Sequence, residues 1–198
     1  MARYTGPKCR LCRLEGEKLF LKGERCLSDM CALTRRQTPP GQHGAKRRRK
    51  VSEYGLQLRE KQKVKRFYSI LEKPFKNYYK KALVSKGSTG EALLCLLERR
   101  LDNVCALLGW GLSRSHARQL VRQGKVFVNQ KQVAAPAFMV KPQDELEFRG
   151  NDTQLRKVEK GPAWLKAAKK KASVLKLPQR EEVTIETNDQ LIVEFYSR

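Results

Sequence analysis

The stretch SRSHARQLVRQGKVFVNQKQV, Ser113 to Val133, sets the frame for everything around it. Ser113 carries a hydroxyl suited to cap a helix, Ala117, Leu120 and Val121 recur on one face of that helix, and Gly124 stands where helices stop. The apolar period then shortens to that of a strand: Val126-Phe127-Val128 reads as β, Asn129-Gln130 as a turn, and Val133 as the return. Arg114, Arg118, Arg122 and Lys125 recur at i, i+4, i+8 and i+11, so they line the helix side away from the apolar face, with no acidic residue among them. Any one of these cations reads as a solvated charge. A row at fixed spacing reads as a grip on phosphate, because a guanidinium can take two phosphate oxygens at once. A helix-plus-hairpin platform would offer that row to an RNA backbone by shape rather than by base sequence.

Upstream, Ser88 and Glu91 have the spacing of a capping box and open a long helix whose buried side is Leu93, Leu97, Leu101, Val104 and Leu108, closed by Gly109-Trp110-Gly111. Before it, Val64, Phe67, Tyr68 and Leu71 form a helical stripe among Arg59, Lys61, Lys63, Lys65 and Arg66, cations expected to face phosphate or water. Lys73-Pro74 starts another helix with Phe75, Tyr78, Tyr79, Ala82 and Leu83 on one face. Downstream, Leu146 and Phe148 alternate with Glu145 and Glu147 as in a strand. A basic, weakly patterned connection carries Lys166, Lys169, Lys170 and Lys171, and the chain closes on an alternating Leu191, Val193 and Phe195.

The 198 residues carry 43 Lys and Arg against 20 Asp and Glu, a formal net charge of +23, so the long-range field is strongly positive whatever the fold. Such a surface seeks polyanions, and nucleic acid rewards each neutralised phosphate by releasing counterions. The longest uninterrupted apolar stretch, Val133 to Val140, includes Pro136 and is far shorter than the roughly 20 residues of a membrane span, so no membrane partner is expected. The N-terminus lacks a secretory apolar core, which points to the reducing cytoplasm and away from disulfides for the six cysteines.

Four of them, Cys9-x-x-Cys12 and the pair Cys26 and Cys31, lie in a segment with little apolar pattern to build a core. Two close pairs can bring four thiolates to one tetrahedral ion, with no position left open for water, so the natural guest is a structural Zn2+. An iron–sulfur cluster takes the same ligands and is the alternative metal. Cys95 and Cys105 sit within helical pattern at no metal spacing and read as core fillers. His43, among Gly41, Gly44 and basic residues, reads as an RNA contact or a plain loop residue. The run Lys46-Arg47-Arg48-Arg49-Lys50 is self-repelling without an anion between its members.

The run Leu97-Glu98-Arg99-Arg100-Leu101-Asp102-Asn103-Val104, then Ser113-Arg114, Ala117-Arg118-Gln119-Leu120-Val121, Gly124 and Val128-Asn129, resembles the RNA-binding domain named after small-subunit ribosomal protein S-four. Arg3-Tyr4, Gly6-Pro7, the four cysteines, Pro39-Pro40-Gly41-Gln42-His43-Gly44 and the terminal Leu191 to Arg198 extend the resemblance to that ribosomal family over nearly the whole chain. The resemblance implies a primary binder of the 5′ domain of small-subunit ribosomal RNA that helps nucleate subunit assembly. It further implies neighbourhood with ribosomal protein S-five, an influence on decoding accuracy, a place beside the channel by which messenger RNA enters, and in some members repression of their own messenger. Two glycines usual in the family's turns are Gln130 and Gln143 here, so local shifts of turn geometry are expected.

Two rival functions stand beside this one. Arg100-Leu101-Asp102 resembles the motif that carries the nucleophilic aspartate of pseudouridine synthases, but the Asp lies in a helical apolar stripe and the chain has no room for a separate catalytic domain, so a structural Asp paired with a nearby Arg is expected and no enzyme. A free RNA chaperone or translational repressor is the binding-class alternative. The expected architecture is α+β: residues 1–45 a zinc-stapled segment, 46–90 with 180–198 a mainly helical RNA-binding domain, and 91–179 an inserted α/β RNA-binding domain with its core at about 97–160. The expected RNA contacts are Arg3, Tyr4, His43, Lys46, Arg47, Arg48, Arg49, Lys50, Arg59, Lys61, Lys63, Lys65, Arg66, Arg114, Arg118, Arg122 and Lys125.

Overall fold

The computed structural model describes residues 3–45, 50–151, 155–156 and 161–198, and the chain divides into two compact units, Met1–Leu83 with Ile185–Arg198, and Val84–Thr184. Lys46, Arg47, Arg48 and Arg49 lie outside the described residues.

In the discontinuous unit, α1 spans Lys8–Glu15 and ends at Gly16, whose φ of 80° lets its amide bond back to the Cys12 carbonyl. A short turn, α2, covers Ala32–Arg35. The helix α3, Glu53–Phe67, begins where the Ser52 hydroxyl accepts from the Gly55 amide. The next, α4, covers Glu72–Leu83 with Pro74 in its first turn, where no partner amide is needed. The last helix, α8, runs over Asp189–Ser197 and is capped by Asn188, whose side chain accepts from the Gln190 amide. It packs along α3: Ile192 is buried, Tyr196 stacks on Tyr79 with ring centroids 4.5 Å apart, and Lys61 sits over the Phe195 ring at 4.4 Å.

A carboxylate ties these three helices together. Glu72 accepts from Lys61 at 2.8 Å, Lys65 at 2.9 Å and the Tyr196 hydroxyl at 2.9 Å. Burial pushes its carboxyl up, but the three donors outweigh this and hold it at about 2. A carboxyl held below its ordinary range stabilises the fold fully above about pH 4.5 and loses that contribution as pH falls towards about 2. The stability of this unit is therefore expected to fall across that interval. Denaturant titration at successive pH values checks it: Glu72→Gln should weaken the unit at neutral pH and flatten the acid limb.

The continuous unit holds α5 (Thr89–Glu98), α6 (Leu101–Leu107) and α7 (Arg114–Arg122), then strands β1 (Val126–Val128), β2 (Lys131–Gln132), β3 (Glu145–Phe148), β4 (Leu165–Ala167) and β5 (Lys171–Val174). Among the described residues these strands form one antiparallel sheet in the order β2-β1-β3-β5-β4. Its inner face, with Val126, Val128, Leu146, Phe148, Ala172 and Val174, closes on α6 and α7 over a core that includes Trp110 and Trp164. No described helix is long and apolar enough to cross a membrane.

The structure departs from the sequence reading in several places. The expected long helix is two, broken at Arg99-Arg100, because the backbone there bonds across to another segment: the Leu101 amide donates to the Phe138 carbonyl at 2.8 Å and the Val140 amide to the Arg99 carbonyl at 3.0 Å. The Ser88 side chain makes no capping bond, so the expected capping box is not formed. The basic connection around Lys166 to Lys171 is a hairpin of two strands. Gln130 and Gln143 take φ of 66° and 69°, the left-handed region that glycine would favour, so both turns keep a glycine-like backbone instead of shifting. Asn129 and Asp144 brace them, with a 2.9 Å bond between their side chains and further bonds to the Glu145 and Lys141 amides.

Candidate nucleic-acid interface

The Ser113 hydroxyl accepts from the His116 amide and starts α7 where the sequence places it. Gly124, at φ 72°, ends that helical run, and a Cβ there would collide with the Gln132 side chain. The three cations on the helix and Lys125 just after it do not share one environment. Arg122 is exposed and Lys125 is half-buried. Arg114 is half-buried and directed by neighbours: its Nε donates to Asn103 Oδ1 at 3.0 Å, while Asn103 in turn donates to the buried Glu98. Arg118 is 7 % exposed and donates to Asp102 Oδ2 at 3.2 Å.

Asp102 shares its carboxylate between two guanidiniums. Arg100 grips it in a fork, with Nε to Oδ1 at 3.0 Å and Nη2 to Oδ2 at 2.7 Å, and both residues are buried. The sequence spacing places Arg118 beside Arg114 and Arg122, but an acid 16 residues earlier supplies the partner that α7 itself lacks. A carboxylate so engaged is a structural aspartate, as the sequence reading prefers over a nucleophile.

On α3 the expected row of RNA-facing cations is largely matched with acids. Lys61 and Lys63 are buried, and Lys63 pairs with Glu17 at 2.7 Å as Lys61 does with Glu72. Lys65 shares Glu72, Arg66 bonds Glu15, and Arg59 approaches Glu15 at 3.9 Å. Acids from α1, the residue after Gly16 and α4 thus draw these cations into the unit. Arg3, Tyr4 and Lys50 are exposed, as is His43 in the turn after Pro40. Tyr4 folds over Gly6, where a Cβ would lie 2.6 Å from the phenol oxygen.

Cys12, Cys26 and Cys31 are buried and Cys9 half-buried, none in a disulfide. Amides point at three sulfurs: Leu19 at Cys12, Lys22 at Cys26 at 3.3 Å, and Thr34 and Leu33 at Cys31. Burial pushes the Cys12 thiol up; at Cys31 burial acts the same way but the amides of Thr34 and Leu33 outweigh it and leave the thiol below its ordinary value. Among the described residues no three His, Cys, Asp or Glu side chains stand in metal-holding geometry. In chemistry alone the donor set matches a tetrahedral thiolate ion, four sulfurs with amides aimed at three of them. Cys105 lies fully buried in the apolar core as a filler, whereas Cys95 is half-buried and donates its thiol to the Pro178 carbonyl at 3.0 Å.

Cations also gather on the cysteine segment. Partial burial lowers the Lys8 ammonium, and Arg3 and Lys22 push it the same way, which places three positive groups close together. One feature here has no counterpart in the sequence expectations: over Lys18-Leu19-Phe20-Leu21-Lys22 the burial alternates, with both leucines buried and the lysines and Phe20 exposed. That alternation is visible in the letters alone, but it is short and lies outside any named strand. A shallow groove of about 640 Å³ on the open face of the sheet is lined by Glu145 and Glu147 as well as Arg149, Lys166 and Lys171, and is less suited to phosphate.

Known proteins give this arrangement its context. Residues 3–98 match the family model described as ribosomal protein S4/S9 N-terminal domain, and residues 99–146 match the S4 domain, the join falling at the break between α5 and α6. The proteins named small ribosomal subunit protein uS4 of Dictyoglomus turgidum and Acidobacterium capsulatum are each 52% identical to the chain, and that of Thermodesulfovibrio yellowstonii 51%, all over 100% of both chains. With a cation-bearing helix locked onto an antiparallel sheet, a helical unit closed by the chain's own end, and full-length likeness to these proteins, the chain belongs to the small ribosomal subunit protein uS4 family.

Proposed function

We propose that the chain is a structural constituent of the small ribosomal subunit, in the cytoplasm, which binds the 5′ domain of small-subunit ribosomal RNA directly and helps nucleate subunit assembly. The observation that carries the RNA reading is α7, whose Arg114 and Arg122, with Lys125 just past its end, are held in place by the buried Asp102 and Asn103 networks. Full-length likeness to uS4 proteins narrows the RNA to that of the small subunit. The role is that of a scaffold and not an enzyme, in keeping with Asp102 being committed to two arginines. Arg3, Tyr4, His43 and Lys50 are the further contacts proposed among the described residues, with Lys46 to Arg49 beside them in the sequence. Ribosomal protein S-five, messenger RNA at its entrance and the chain's own messenger are the partners the same reading extends to.

Cys9, Cys12, Cys26 and Cys31 would hold a structural Zn2+, or an iron–sulfur cluster, that staples a segment otherwise short of core. Hydroxyl-radical footprinting of the 5′-domain RNA, with and without a chelator, tests both parts of the proposal. The full chain is expected to protect a continuous patch of backbone, part of which disappears when metal is withdrawn. Identical protection in both conditions would show that the metal contributes nothing to docking, and no patch at all would remove the RNA assignment.

A further inference from the structure

We infer that Phe20 is a stacking platform for an unpaired base of the bound RNA, with Lys18 and Lys22 placed to take the adjoining phosphates. This rests on the RNA-binding reading above and adds to it a residue and a mode of contact. Leu19 and Leu21 are almost fully buried in the small core of the cysteine segment, and Phe20 between them is 41 % exposed. Its backbone sits at φ 49°, a region that side chains with a Cβ enter only against steric resistance and that glycine or asparagine would fill more easily. The segment therefore holds an aromatic ring in solvent through a strained backbone, while the neighbouring leucines fix that backbone from inside. Lys18 and Lys22, two positions before and after it in the sequence, are exposed as well. Aromatic and cation in alternation is the arrangement that accepts single-stranded nucleic acid, since any base presents a π face and each phosphate meets a positive charge. The stacking partner must be unpaired, because a base within a duplex has both faces covered.

The test uses the full chain and a 5′-domain RNA fragment. Phe20→Gly and Phe20→Asn both suit the left-handed backbone, so thermal melts of the free proteins should match the wild type while RNA affinity falls about tenfold or more. The salt dependence of binding should keep its slope, because stacking releases no counterions. Phe20→Trp should bind as the wild type does, and the introduced indole should become shielded from acrylamide when RNA is added, against a background of Trp110 and Trp164 that are already buried. Unaltered affinity in the Gly and Asn variants, or an indole that stays open to the quencher, would overturn the stacking site alone and leave a protein neighbour to cover the ring. If the wild-type chain showed no preference for the ribosomal fragment, the RNA reading would fall and this site with it.

Discussion

Asp102→Ala is expected to destabilise the unit Val84–Thr184 by about 3–5 kcal/mol, because it takes from the buried, charged Arg100 and Arg118 the carboxylate they share. The size follows from the asymmetry of buried ion pairs: forming one offsets little more than its desolvation, whereas removing one member strands the other. Replacing the triad together with apolar residues of similar volume should accordingly recover much of the loss. The chain provides its own reporter. Both of its tryptophans, Trp110 and Trp164, lie buried in this unit, and all six tyrosines lie in the other, so tryptophan emission during denaturant unfolding reads the inserted unit alone. A loss below about 1 kcal/mol would place the triad among solvated surface pairs and contradict its role in fixing α7.

Deleting residues 185–198 should remove about 5 kcal/mol or more from the helical unit, a large part of what a domain of this size holds. The deletion takes away Ile192, the Tyr196 ring stacked on Tyr79, and the Phe195 ring beneath Lys61. Ile192 and Ile185 are buried and contribute roughly 1.5–3 kcal/mol each, and the half-buried Phe195 and Tyr196 add to this. It also leaves Gln57 without Glu194, Glu72 without Tyr196, and Glu60 without Thr187. Hydrogen exchange should show α3 and α4 losing protection while the tryptophan-monitored transition stays where it was. Equal protection with and without the terminal helix would contradict the view that the chain's end completes this unit. The consequence for synthesis follows from topology: the inserted unit has all its residues before α8 exists, and the helical unit closes only once α8 is present.

Much of this was legible in the sequence because it is local. The Ser113 cap, the Ala117, Leu120 and Val121 stripe, the stop at Gly124 and the hairpin after it all depend on neighbours within a few positions, and the structure forms each of them. What escaped depends on distant partners. The stripe from Leu93 to Leu108 stays in phase across the break at Arg99-Arg100, so periodicity alone cannot show that residues 136–140 pair there. Leu191, Val193 and Phe195 alternate as in a strand, yet Asn188 caps a helix that α3 stabilises from the side. Charged residues on the exposed face masked β4 and β5. Arg118 has the same spacing as Arg114 and Arg122, and only Asp102 turns it from a surface cation into a buried one. The acids Glu15, Glu17 and Glu72 that pair with the cations of α3 lie outside that helix, so the helical pattern alone does not show them.

The proposal that the exposed cations hold ribosomal RNA by shape is tested most directly by a salt titration of binding to a small-subunit 5′-domain fragment against an unrelated RNA of the same length. Preference for the ribosomal fragment is expected to persist at high salt, and Arg122→Ala to weaken both complexes with a slope shallower by about 1 while the preference remains. Equal binding to the two RNAs, vanishing together as salt rises, would contradict it and leave a generic polycation.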